Sequence, residues 1–413
     1  MTIAEPTRPS TERVDPEIDL PMIISVDDHV VEPAHVWEQW LPAKYREHGP
    51  RIERRGIGSM RHVGGGQYEQ TFDPDGPQAD CWIYEDLVYI HKRHVAAVGF
   101  SRDEMTMTPI TYDEMRDGCY DPKARVQDML DNHVEVSLSF PTFPRFCGQT
   151  FTEAKDRDLG LACVYAYNDW MVEEWCGDSD GHLVPLIIVP LWDAELAAAE
   201  VRRNAARGCH AVCFSEIPPH LGLPSIHSGY WDPLFAACTE TSTVVCMHIG
   251  SSSRMPATSP DAPVAVAATL SFNNAMASLS DFLFSGVLVR FPELRLAYSE
   301  GQIGWLPYIL ERADDVWREH RAWGGVADTI PEPPSTYYYR QVYGCFFRDR
   351  HGLDSLEQVG VDNITFETDY PHTDSTWPHS KEVAWDLMGH LPADVRHKII
   401  RGNAARMLSL DLD

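Results

Sequence analysis

The sequence predicts an α/β fold, a (β/α)8 TIM barrel with a lid subdomain inserted after strand one, on three observations. Short apolar, β-branched runs recur along the chain, helix-like segments lie between many of them, and eight such runs form one series with a single long interruption. A parallel strand needs a crossover and a helix usually supplies it, so this alternation points to parallel βα units. Eight strands in one continuous series suggest a closed barrel rather than an open doubly wound sheet.

The candidate strands are Pro21–Val26, Val134–Phe140, Leu183–Val189, His210–Phe214, Thr243–Ile249, Leu294–Ser299, Val342–Phe347 and Ile364–Thr368. Between them, Glu153–Glu174 carries apolar residues at three- and four-residue spacing and Ala194–Arg207 is alanine-rich; Ala275–Val287 and Ile303–Trp317 follow as helices. Residues 45–122 break the alternation. They are rich in Gly, Asp, Met and charge and contain Gly64-Gly65-Gly66 and Pro74-Asp75-Gly76. A structureless loop of that length is uncommon in a compact domain, so the segment is expected to be a lid over the C-terminal mouth of the barrel. Shorter irregular pieces are expected at 251–264 and 324–337. The barrel domain is expected to span 21–413, after a flexible arm at 1–20.

Composition bounds the partners. The 413 residues include 34 Lys plus Arg against 62 Asp plus Glu, a formal net charge of −28. That balance argues against nucleic acid, whose phosphates need clustered cations, and against an anionic membrane surface. At 44% hydrophobic and 10% aromatic residues the chain can bury a large core, which excludes general disorder. No stretch approaches 18 consecutive apolar residues. None of the ten cysteines forms a Cys-x-x-Cys pair, so zinc-ribbon and thioredoxin-type readings fail, and buried free thiols in a reducing compartment are expected. The polar start, with Pro6, Pro9 and Pro16, has no apolar core of a signal peptide. A cytoplasmic protein acting on a small-molecule substrate is expected.

Chemistry-bearing residues fall at strand ends. The first strand ends in Asp27-Asp28-His29-Val30-Val31-Glu32-Pro33, and residues two apart on a strand point to the same side, so Asp27 and His29 can aim at one point. The fifth ends in Val-Val-Cys-Met-His248, the eighth in Ile364-Thr-Phe-Glu-Thr-Asp369-Tyr-Pro-His372. Taken singly, each has an ordinary structural explanation: a solvated strand end, a satisfied core histidine, a helix cap. Together they occupy the face where barrel active sites are built, and closure makes strands one and eight neighbours. Two carboxylates and two imidazoles converging there are suited to a cation.

These residues, in this order, resemble the amidohydrolase superfamily, specifically its amidohydrolase 2 branch, which includes aminocarboxymuconate-semialdehyde and γ-resorcylate decarboxylases. Phe-Pro-Glu-Leu before strand six, Thr-Asp-Tyr-Pro-His at strand eight and Gly402-Asn403-Ala404-Ala405-Arg406 in the terminal helix carry the likeness further. The resemblance implies one divalent metal held by Asp27, His29, His248 and Asp369. Zinc is the expected ion, with manganese or iron as alternatives because Asp27 stands where many members have His. It also implies a homodimer or larger homo-oligomer. Family decarboxylases often carry a histidine after strand six, where this chain has Tyr298-Ser299-Glu300-Gly301-Gln302; Glu300 could replace that acid/base, or merely cap a helix or pair with Arg295 or Arg312. His372 reads equally as a partner for Asp369 or as an acid near substrate. Arg145 could clamp a carboxylate or form a surface salt bridge, while Trp305 and Tyr370 could line a pocket or simply pack.

Two reactions follow from the resemblance. One is non-oxidative decarboxylation of a small aromatic or unsaturated carboxylic acid, with Asp369, His372 or Glu300 protonating the carbon. The other is hydrolysis of an ester, lactone or amide by metal-activated water with Asp369 as base. A catalytically silent binding barrel is the reading from a different class.

Overall fold

A computed structural model describes residues 20–64 and 67–412. The expected arm at 1–20 therefore lies outside the described residues apart from Leu20, as do Gly65 and Gly66.

Among the described residues, eight parallel strands form two sheets. One orders β1 (Ile23–Val30), β6 (Val134–Pro141) and β7 (Leu183–Val184); the other runs β12 (Ile364–Phe366), β11 (Val342–Phe346), β10 (Arg295–Ser299), β9 (Val244–His248) and β8 (Ala211–Cys213). Two seams join the sheets. A parallel bridge pairs Ile187 with Val212, past the end of β7. On the other side, Asp369 N–H donates to the Asp27 carbonyl at 3.0 Å and His29 N–H to the Tyr370 carbonyl at 2.6 Å.

The strands are largely apolar because parallel sheets are covered on both faces, the polar residues of β1 being the main exception. Every residue of β1, β9 and β11 is buried. The helix Arg157–Trp170, whose buried residues join the same hydrophobic core, starts at Asp156, whose carboxylate accepts from Asp158 N and Leu159 N at 3.0 Å each, and continues into a π-helical turn over Met171–Trp175. Asp193 caps Ala194–Ala205 in the same way. Such caps contribute about 0.5–2 kcal/mol each. All ten cysteines are buried free thiols. Among the described residues no helix is long and apolar enough to cross a membrane.

The segment 45–122 is structured. It contains an antiparallel sheet in the order β3 (Gln67–Phe72), β2 (Arg51–Gly64), β4 (Gln78–Tyr84) and β5 (Leu87–Ile90), with its own small core of Ile57, Ala79, Cys81, Ile83 and Ile90. Gly76 closes the β3–β4 turn where a Cβ would meet the Ile57 carbonyl oxygen at 2.2 Å. Beyond the sheet, short 3-10 turns dock on the strand ends. Ala97 and Val98 N–H donate to the Pro371 carbonyl at 2.7 and 3.2 Å, Arg102 to the Thr373 carbonyl at 2.6 Å, and Tyr112 hydroxyl to the Glu32 carbonyl at 2.6 Å.

Candidate metal centre

β1 extends to Val30, four residues past its expected end, so Asp27 and His29 lie within the strand. A register shift between Ser25 and Asp28 marks a bulge there, the kind of irregularity that re-aims side chains beside functional sites. Asp28, on the opposite side, is buried and fixes the strand. Its carboxylate accepts from Ser25 Oγ at 3.0 Å, Thr368 Oγ1 at 2.7 Å, Tyr370 N at 3.0 Å and Ser137 Oγ, tying β1 to β6 and to the segment after β12.

Asp27, His29 and His248 converge, with Glu300 as the fourth group among them, while Asp369 meets His29, Glu300 and His372 in an adjoining cluster. His29 Nε2 lies 3.6 Å from Asp27 Oδ1, 3.5 Å from Asp369 Oδ1 and 3.2 Å from His248 Nε2. His248 Nε2 is in turn 3.5 Å from Asp27 Oδ2 and 3.8 Å from Glu300 Oε2. Ligands at bond lengths of about 2.0–2.2 Å around one tetrahedral ion lie roughly 3.4 Å apart, the spacing these atoms already have. Both oxygens of Asp27 and both of Asp369 are buried without an N–H or hydroxyl donor. Such atoms are costly unless a proton or a cation serves them.

The electrostatics agree with a cation. Burial, reinforced by Glu367, Glu300 and Asp369, holds Asp27 well above the usual carboxylate range; burial and Asp374 do the same to Asp369. Burial pushes His248 down to about 3 and His372 to about 4, and pushes His29 well below the usual imidazole range. The imidazoles are therefore neutral, the form that coordinates metals. His248 Nδ1 bonds the Ile249 carbonyl at 2.6 Å and its ring stacks on Phe146 at 4.1 Å, which leaves Nε2 aimed at the cluster. Asp27, His29 and Asp369 are fully buried, whereas Glu300 and His372 each keep 14% of the side chain exposed, so these two face the mouth.

Glu300 has a positive φ of 52° and its N–H is held by Glu367 Oε2 at 3.1 Å; Asp369 has a φ of 50°. Left-handed backbone at non-glycine residues costs on the order of 1–3 kcal/mol and persists where the surroundings impose it. Burial, followed by the fields of Asp369 and Glu367, raises the Glu300 carboxyl well above its ordinary value, and it approaches Asp369 closely enough to share a proton. His372 Nδ1 lies 3.2 Å from Asp369 Oδ1 and its ring stacks on His29 at 3.6 Å.

The remaining expected residues are engaged elsewhere. Arg145 pairs with Glu153. Tyr370 is buried, donates to Asp128 Oδ2 at 2.5 Å and carries the Arg125 guanidinium 4.2 Å over its ring. Trp305 donates to the Gly301 carbonyl at 2.7 Å and packs on the core. Arg348, not singled out in the sequence, is the cation whose field reaches Asp369 and Asp374. Glu367 was also missed, although it stands two residues before Asp369 and the alternation that paired Asp27 with His29 applies to it.

Eight parallel strands with acids and imidazoles gathered at their C-terminal ends define an α/β protein with a candidate metal centre. A family model described as amidohydrolase matches residues 34–410, and the chain belongs to the amidohydrolase family. Because the match starts beyond β1, the placement of Asp27 and His29 rests on the geometry above. Among solved structures, an amidohydrolase from Mycobacterium avium subsp. paratuberculosis K-10 is similar at 21% identity, with 94% of this chain and 99% of that one covered and a TM-score of 0.67. The 5-carboxyvanillate decarboxylase from Sphingomonas paucimobilis is similar at 17% identity, 94% and 100% coverage and a TM-score of 0.61. A dihydroxybenzoic acid decarboxylase from Polaromonas sp. JS666, with bound manganese and 2-nitroresorcinol, is similar at 16% identity, 95% and 98% coverage and a TM-score of 0.59. No curated protein matches the chain.

Proposed function

We propose that the chain is a metal-dependent non-oxidative decarboxylase of a small aromatic or unsaturated carboxylic acid. Its parallel strands close as a (β/α)8 barrel, and segment 45–122 serves as the lid. The observation that carries the reading is the convergence of Asp27, His29, His248 and Glu300, adjoined at His29 by Asp369, with both oxygens of Asp27 and of Asp369 buried without an N–H or hydroxyl donor. The decarboxylases among the similar structures support it.

Asp27, His29, His248 and Asp369 would hold the ion. A divalent cation there supplies Lewis-acid polarisation of a substrate carboxylate and its neighbouring oxygen. Glu300, kept protonated by burial and facing the mouth, delivers its proton to the carbon that loses carbon dioxide. The carbon–carboxylate bond breaks, its electron pair stays on that carbon, and the proton replaces the departing group. His372, stacked on His29 beside Asp369, orients both. The lid turns, bonded to the Pro371 and Thr373 carbonyls, exclude water from this step.

One observation favours hydrolysis as a second reading: a carboxyl, Glu300, stands where family decarboxylases often place an imidazole. Water would then attack an ester, lactone or amide with Asp369 as base. Incubating the protein with hydroxybenzoates and with lactones separates the two. Carbon dioxide and a decarboxylated phenol are expected; acid release from lactones with no carbon dioxide would refute the decarboxylase reading. A homo-oligomer belongs to the same proposal, supported by the exposed Trp323 and Tyr308, at 75% and 69%, which a second copy could cover; light scattering giving a monomer would remove it.

A further inference from the structure

We propose that a second divalent cation binds beneath the first, held by Cys345, Glu367 and Asp27, with Asp27 bridging the two ions. The inference rests on the reading of the first centre but uses two side chains that reading leaves idle.

Cys345 lies in β11, Glu367 directly after β12, and Asp27 in β1, on three adjacent strands. β11 and β12 pair with Cys345 opposite Thr365, and Asp369 N–H joins the following segment to Asp27. One ligand atom from each of Cys345, Glu367 and Asp27 lies within 4.8 Å of the others, and all three residues are buried. Glu367 Oε1 and both Asp27 oxygens are buried without an N–H or hydroxyl donor, while the Cys345 thiol contacts Glu367 Oε2. A carboxylate oxygen without an N–H or hydroxyl donor at zero exposure, beside a thiol and a second such carboxylate, needs a shared proton or a cation.

Charge closes the argument. Asp27, Glu300, Glu367 and Asp369 crowd the same few ångströms, and among the described residues none of them pairs with a Lys or Arg. The nearby imidazoles are neutral and offset nothing. With Glu300 protonated, the carboxylates of Asp27, Glu367 and Asp369 and the Cys345 thiolate carry four negative charges, of which one divalent ion cancels half; a second cancels the rest. Thiolate with carboxylate oxygens is a donor set for zinc, iron or cobalt rather than magnesium or calcium, and three protein ligands leave an open position. The thiol proton leaves to solvent as the Sγ–cation bond forms.

Cobalt(II) titration of the metal-stripped, full-length protein tests this. About two ions per chain are expected, one of them giving a near-ultraviolet thiolate-to-cobalt charge-transfer band. Cys345→Ser and Cys345→Ala should each remove that band and one equivalent while keeping the visible absorption of the other ion. Glu367→Gln should weaken the same equivalent about tenfold or more. Saturation at one equivalent, a second equivalent without the thiolate band, or a band unchanged in Cys345→Ala would overturn the second site and leave the first standing. No cobalt binding in the wild-type protein would overturn both. The wild-type titration decides even where a variant fails to fold.

Discussion

Removing the His248 imidazole should uncouple the stability of the protein from divalent metal. Its Nε2 faces His29, Asp27 and Glu300 at 3.2, 3.5 and 3.8 Å, so His248→Ala deletes one corner of the candidate site. A ligand that binds only the native state adds about 4 kcal/mol at a thousandfold excess over its Kd. With an unfolding entropy of about 2.1 cal/mol/K per residue, a chain of this size changes by roughly 0.9 kcal/mol per degree, so the wild-type Tm should rise by about 5 °C. A hundredfold loss of affinity in the variant leaves about 1.4 kcal/mol, or less than about 2 °C. The assay is thermal unfolding of chelator-stripped protein with and without manganese or zinc. Loss of the Phe146 stack lowers the variant's baseline in both conditions and cancels in the difference. Equal metal-induced shifts in wild type and variant would refute the assignment, as would no shift in either.

Three further outcomes are expected. Asp28→Ala leaves four donors facing a void and should cost about 3–5 kcal/mol in urea unfolding; a loss below about 1 kcal/mol would show that β1 is held by other means. Glu300→Gln keeps the shape but not the acid, and kcat should fall by about 10²–10⁴-fold with KM changed less; an unchanged kcat would remove Glu300 from the proton transfer. Glu216 accepts from Gly250 N, Ser252 Oγ and Asn274 Nδ2, and burial pushes its carboxyl from the ordinary 4.5 up to about 7. Between those values the folded chain holds the proton more tightly than the unfolded one, so this contribution is present at low pH and is lost as pH rises through about 7. Relative to Glu216→Gln, the wild type should therefore lose up to roughly 3 kcal/mol between pH 5 and 8; a pH-independent difference would contradict the burial argument.

Much of this centre was legible because its chemistry follows chain direction. His248 and Asp369 stand at or just past the ends of apolar runs, where the alternation of strand and helix places them at one mouth. The end of β1 was misjudged because two acids and an imidazole look like a solvated terminus, whereas a bulged, fully buried strand carries them. β7 has two residues, plus the bridge at Ile187, although the apolar run extends to Val189; apolarity reports burial and not hydrogen-bonded pairing. The sheet in the inserted segment was obscured by charge, since Arg51, Glu53, Arg54 and Arg55 alternate poorly with Ile52 and Ile57. The pairing of Arg145 with Glu153 depends on how a loop turns over the strand ends, which local pattern does not encode. Glu367 needed only the two-residue rule applied backwards from Asp369.

Carbon dioxide release from a carboxylated phenol, measured on the same protein stripped of metal and then reloaded with manganese or zinc, tests the central claim most directly. The account predicts no release from the stripped protein, and restored release in step with the decarboxylated product once metal is returned. Undiminished release without metal, or reloaded protein that frees acid from lactones and no carbon dioxide from any phenolic acid, would contradict it.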